Sequence, residues 1–153
     1  MNTTRRTLIL AAALGALTAR AGFAASPADA TAIEVWKDPN CGCCGLWVDY
    51  VRKAGFNVTV RDKGNTAARA RAKIDMKYGS CHTAFIDGYA IEGHVPVREI
   101  RRLLKERPDA IGLAVPGMVI GSPGMEQGGQ VDPYEVLLLL KDGSARKYAS
   151  YPA

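Results

Sequence analysis

Four consecutive residues constrain this chain more than any others: Cys41-Gly42-Cys43-Cys44, which follow a turn and open a helical pattern. Cys41 and Cys44 alone have the spacing of a thiol redox pair, and Cys43 places a third sulfur in the same turn. The unpaired N–H groups and the dipole at a helix start lower thiol pKa values and favour thiolates. Three adjacent thiolates repel one another unless a cation lies among them, and a soft metal requires deprotonated sulfur in any case. The competing reading is a redox pair or disulfide, which uses Cys41 and Cys44 and leaves Cys43 idle.

The flanking pattern specifies a fold around this cluster. Ile33-Glu34-Val35-Trp36 alternates as a first strand, and Lys37-Asp38-Pro39-Asn40 turns the chain into the cysteines. Leu46, Trp47, Tyr50 and Val51 recur at helical spacing, and Gly55 stands where a C-terminal cap belongs. Residues 56–60 alternate as a second strand. Residues 66–77, rich in alanine and arginine, read as a short, mostly exposed helix, with Arg69, Arg71 and Lys73 forming a solvated basic face. Thr83-Ala84-Phe85-Ile86 and Tyr89-Ala90-Ile91-Glu92 flank Asp87-Gly88 as a hairpin. A helix over 97–106 ends before Pro108. The expected class is therefore α/β and thioredoxin-like, in the order strand, helix, strand, helix, hairpin, helix. A loop rich in glycine, proline and methionine is expected over 112–129. A second hairpin, over 134–140 and 145–151, enlarges the sheet.

That fold predicts a meeting. In redoxin folds the loop before the third strand carries a cis-proline and faces the Cys-x-x-Cys helix. Here Ser80-Cys81-His82 occupies that place, which brings Cys81 and His82 towards Cys41, Cys43 and Cys44. Cys81 could instead be a buried apolar residue or a disulfide partner. His94, in Glu92-Gly93-His94-Val95-Pro96, is either a further ligand or a hydrogen-bonded turn residue. Met118 and Met125 lie in two Pro-Gly-Met triplets and read as a lid or outer donors more than as ligands; thioether sulfur suits Cu(I). Trp36 and Trp47 read as core and shielding residues. Zinc or an iron–sulfur cluster is a further use for four cysteines.

The N-terminus reads as an export signal. Arg5 and Arg6 precede an apolar run over 8–19, too short for the roughly 20 residues of a membrane span. Cleavage is expected after Ala24, with Ala21 and Ala30 as alternatives, leaving residues 25–32 as a lead-in and 33–151 as the domain. Arg5-Arg6-Thr7-Leu8-Ile9 also has an imperfect twin-arginine character, so the Sec and twin-arginine routes are both open. Loss of residues 1–24 removes Arg5, Arg6 and Arg20 and no acid, so the net charge falls from +5 to +2. No basic stripe remains to suggest nucleic acid.

Several motifs in order resemble one family: Lys37-Asp38-Pro39-x-Cys41-Gly42-Cys43-Cys44-x-x-Trp47, Ser80-Cys81-His82-Thr83-Ala84, Ile91-Glu92-Gly93-His94-Val95-Pro96 and the two Pro-Gly-Met stretches. The chain is similar, over 33–151, to the CopG-type periplasmic copper-resistance family, a domain long without assigned function. The resemblance implies a cysteine-bridged, multinuclear Cu(I) site and a role in copper tolerance, with electron transfer between Cu(I) and Cu(II). Implied ligands are Cys41, Cys43, Cys44 and Cys81, with His82 and His94 added. Implied partners are metal ions and other periplasmic copper-handling or electron-transfer proteins. Two departures stand out. Tyr50 replaces a family histidine near the cysteine helix, and Lys73-Ile74-Asp75 stands where the family has Gly-Val-Pro.

Overall fold

The computed structural model describes residues 30–152. The signal read at 1–24, and the lead-in up to residue 29, lie outside the described residues. Among the described residues no helix is long and apolar enough to cross a membrane.

Seven strands form one sheet in the order β2-β1-β3-β4-β5-β6-β7. The strands are β1 (Ala32–Lys37), β2 (Asn57–Asp62), β3 (His82–Ile86), β4 (Tyr89–Glu92), β5 (Gly112–Ala114), β6 (Tyr134–Leu139) and β7 (Ala145–Tyr151); the helices are α1 (Gly42–Lys53), α2 (Thr66–Arg71) and α3 (Val97–Glu106). β1 runs parallel to β2 and antiparallel to β3, and β4 runs parallel to β5; the remaining neighbours are antiparallel. This α/β arrangement is consistent with the thioredoxin-like order, with strands added at one edge.

Alternation along the strands sorts their side chains to two faces. Ile33, Val35, Ala84, Ile86, Ile91, Leu113 and Leu138 share a main core with Trp47, Val48 and Val51 of α1 and Ile100 and Leu103 of α3. The opposite face carries a smaller cluster built from Ile74, Ala90, Ala114 and Leu139. Both faces of the central strands are therefore covered, which explains why β4 is buried at every position.

Two expectations change. The helix read over 66–77 stops at Arg71, because Lys73 is left-handed at φ 57° and Ile74 N–H reaches back to the Arg69 carbonyl. This is a Schellman-type ending whose apolar member, Ile74, is buried. A 3-10 turn over Met76–Tyr78 follows, capped by the Asp75 carboxylate. Nor is the segment a solvated basic face throughout, since Arg69 is only 8% exposed.

The second change is β5, inside the stretch read as irregular loop. Three residues are too few to show a period. Their strand geometry comes from β4 on one side and β6 on the other, and all three are buried. Gly112 is required there by close approach, since a Cβ would lie 1.7 Å from the Ala90 carbonyl oxygen. Gly112→Ala is expected to destabilise the domain by about 3 kcal/mol through that overlap. Chemical denaturation measures it, and a stability equal to wild type would contradict the packing described.

Candidate metal centre

The antiparallel pairing of β1 with β3 sets Lys37 opposite His82. The chain leaving β1 and the chain arriving at β3 therefore occupy the same end of the sheet. Leaving β1, the Asp38 turn delivers Cys41 to the N-cap of α1, where its side chain makes no capping hydrogen bond. Arriving at β3, the turn at Ser80 presents Cys81.

The sulfurs of Cys41, Cys43, Cys44 and Cys81 converge: all lie within 4.8 Å of one another. Cys41 and Cys44 are joined as a disulfide, while Cys43 and Cys81 are free thiols. Cys43 Sγ lies 3.5 Å from Cys41 Sγ and 3.9 Å from Cys81 Sγ, and Cys44 Sγ lies 3.6 Å from the Cys81 carbonyl oxygen. Cys44 is fully buried; the other three are half-buried, so the cluster has a solvent-facing side.

Both histidines join this cluster through Cys81. His94 Nε2 is 3.1 Å and His82 Nδ1 3.5 Å from Cys81 Sγ, and these three residues form a second set of donors within 4.8 Å. His94 Nδ1 lies 2.8 Å from the Pro123 carbonyl oxygen. A carbonyl only accepts, so Nδ1 carries the proton and Nε2 presents its lone pair to the sulfur, the orientation imposed on metal-bound imidazoles by such partners. His82 is wholly buried between Trp47, 4.4 Å away, and His94, 5.0 Å away, and its Nε2 has no hydrogen-bond partner. A buried polar atom left without a partner costs on the order of 1–3 kcal/mol.

Desolvation dominates the electrostatics. Burial, then the neighbouring Cys43, pushes the Cys81 thiol up to about 12. Burial, followed by the nearby His94, holds His82 well below its ordinary 6.5 against an opposing effect of the Gly93 backbone, with Lys37 adding a smaller push downward; burial also lowers His94, against smaller opposing effects of Pro123 and Glu126. Without a cation the site is thus neutral: thiol and two uncharged imidazoles. Neutral imidazole is the ligand-competent form, and a bound cation reverses the penalty on thiolate. The residues present fit a soft metal ion.

The Pro-Gly-Met segment acts here through its backbone. Pro123 supplies the carbonyl that orients His94. Gly124, at φ 82°, lies against α1 so closely that a Cβ would meet Trp47 N at 2.7 Å and Cys43 O at 3.0 Å. Its N–H donates to the Glu126 carboxylate at 2.8 Å. Met125 is half-buried and Met118 is 61% exposed. Trp47 is buried and donates Nε1–H to the Val95 carbonyl at 3.0 Å. Tyr50 accepts from Val97 N–H at 3.0 Å, steadying the start of α3. Sequence reasoning reads Arg69 as part of a solvated face, Glu92 as a strand residue and Pro123-Gly124 as part of a Pro-Gly-Met triplet, and gives none of the four a role at the site. A proline-glycine step does not advertise which carbonyl it aims.

Comparison with known proteins agrees with this geometry. Residues 78–125 match a family model described as protein of unknown function, DUF411. Two solved structures, named copper resistance protein copG in forms 2 and 1, are 45% and 44% identical. The alignments cover 81% and 82% of this chain and all of each neighbour, both with a TM-score of 0.77. The chain belongs to the CopG copper-resistance family. A comparison with curated proteins gives no match. The family-model match takes in Cys81, His82, His94 and the Pro123-Gly124 step.

Two outcomes follow from this construction. Both buried histidines resist protonation more in the folded than in the unfolded chain, so the unfolded chain takes up more protons as pH falls through 6.5. The metal-free domain is therefore expected to keep its full histidine contribution above that value and to lose stability between about pH 6.5 and about pH 5; urea midpoints at the two ends check the sign. Gly124→Ala should lift the loop from α1 at a cost of about 1–3 kcal/mol. It should also free the His94 Nδ1 proton from Pro123, seen by NMR as faster exchange with water.

Proposed function

We propose that this chain is an exported Cu(I)-binding protein with a cysteine-bridged, multinuclear copper site, serving copper tolerance and cycling copper between Cu(I) and Cu(II). One observation carries the reading: four sulfurs within 4.8 Å of one another share Cys81 with two buried imidazoles. Thiolates select soft ions, and imidazole accommodates both copper oxidation states. The family name supports copper over zinc or an iron–sulfur cluster.

In this reading Cys41, Cys43, Cys44 and Cys81 supply thiolates, with Cys81 bridging to His82 and His94. Cys41 and Cys44 first have to be reduced. A dithiol reductant gives up two electrons and two protons, its own sulfurs join as a disulfide, and the Cys41–Cys44 bond opens to two thiols. Each cysteine then releases its proton on loading. Met118 and Met125 serve as outer thioethers or a lid, and Trp47 keeps water from His82. Tyr50 in place of the family histidine removes one nitrogen near the cysteine helix. Residues 1–24 direct the chain to the periplasm, where its partners are copper ions and other copper-handling or electron-transfer proteins. With no basic stripe in the domain, nucleic acid is not among them.

A second reading, thiol–disulfide exchange with Cys41 as nucleophile, is favoured by the Cys41–Cys44 disulfide itself. The two separate cleanly. Mature protein, reduced and handled without oxygen, is titrated with Cu(I) against a competing chelator. More than one tightly held copper per chain is expected, with Cys81→Ser weakening the affinity at least about 100-fold. Binding of less than one copper, together with brisk insulin reduction abolished by Cys41→Ser, would establish the exchange reading instead.

A further inference from the structure

Cys81 belongs to both donor sets, yet it sits in a turn, one residue before the regular pairing of β3 begins. What fixes its sulfur 3.9 Å from Cys43 and 3.1 Å from His94 is therefore not the sheet ladder. The residue before it, Ser80, is held from both sides of its backbone. Ser80 N–H donates to Glu92 Oε1 at 2.7 Å, and Ser80 C=O accepts from Asn65 Nδ2 at 3.1 Å and from Arg69 Nη2. Arg69 and Glu92 close the circuit on each other, with Arg69 Nε 2.8 Å from Glu92 Oε1. The second carboxylate oxygen accepts from Thr83 Oγ1 at 2.6 Å.

This ion pair is buried, with Arg69 at 8% and Glu92 at 0% exposure. Burial, opposed by these partners, raises the Glu92 carboxyl above its ordinary value. Buried pairs of this kind rarely add stability over apolar residues of the same volume. Stability alone therefore does not account for one here. The surroundings are shaped to it. A Cβ on Gly93, at φ 72°, would lie 2.5 Å from Ser80 Oγ and 2.6 Å from the Val115 carbonyl, and one on Gly79 would press the Arg69 guanidinium at 3.2 Å. The Ser80 hydroxyl donates to Gly117 O, and Gly117 N–H donates to Gly79 O at 2.9 Å, so the segment leading to Met118 is tied to the same turn.

We infer that Arg69 and Glu92 are positioning residues for the metal centre: a forked guanidinium and a carboxylate clamp both peptide groups of Ser80 and thereby aim the Cys81 sulfur. The inference rests on the copper reading for its purpose, and its geometry is tested without copper. Arg suits the role because one planar fork bonds carboxylate and carbonyl together, which a lysine ammonium does less well.

The probe is the Cys43–Cys81 disulfide in a Cys41→Ser/Cys44→Ser background, equilibrated with reduced and oxidised glutathione. Each oxidised glutathione takes the two thiol hydrogens and leaves as two reduced molecules. Arg69→Met is expected to lower the disulfide equilibrium constant roughly tenfold while far-ultraviolet circular dichroism stays native. Arg69→Lys should fall between it and the parent. In the four-cysteine protein the same variants should weaken Cu(I) binding about 10–100-fold without lowering the copper count. If Arg69→Met does not fold, the loss expected of Arg69→Lys decides by the same readout. A folded variant with an unchanged Cys43–Cys81 equilibrium overturns the clamp. Wild-type protein that binds no copper overturns the copper reading instead and leaves the disulfide measurement to judge the clamp.

Discussion

The site depends on one pairing, the antiparallel register that sets Lys37 of β1 opposite His82 of β3. Because β1 ends where β3 begins, the segment into α1 and the turn before β3 come together at one end of the sheet. Every donor follows from that meeting. Cys41, Cys43 and Cys44 arrive with the helix start, Cys81 and His82 with the strand start. The return of β4 past Gly93 brings His94 against Cys81. A one-residue slip of this register would turn His82 to the opposite face and separate it from Trp47.

The second governing feature is dehydration. Thiol, imidazole and carboxylate have all been taken from water at this end of the sheet, and each answers by favouring its neutral form or by finding a partner. Glu92 has Arg69, Thr83 and the Ser80 N–H. His94 has Pro123. His82 retains one nitrogen with nothing to bond. The half-buried thiols of Cys43 and Cys81 and the neutral imidazoles beside them form a dehydrated donor set in which a bound soft cation would offset the penalty that burial places on thiolate.

The disulfide between Cys41 and Cys44 adds a redox dimension. It leaves Cys43, Cys81 and the two histidines as the available donors, so oxidation of the helix pair diminishes the donor set rather than dismantling it. The Pro-Gly-Met loop packs against α1, with Gly124 held beside Trp47 and Cys43. Residues remote in sequence are arranged around the sulfurs with little freedom left to them.

Much of this was legible in the residue order. The alternation of strands and helices, the Asp87-Gly88 hairpin and the cysteine cluster all follow from local periodicity and turn chemistry, which are properties of neighbouring residues. The meeting of Cys81 with that cluster was expected only through the redoxin fold, whose loop before the third strand faces the Cys-x-x-Cys helix. β5 was not legible, because three residues carry no period and owe their strand geometry to β4 and β6. Nor was the burial of Arg69, in a segment whose composition reads as a solvated face. Its partner, Glu92, lies 23 positions away and is met only once the sheet has formed. The amino-acid sequence by itself determined which atoms could bind metal. The tertiary structure alone decided how they are aimed, because aim depends on contacts between segments far apart in the chain, and no local pattern encodes them.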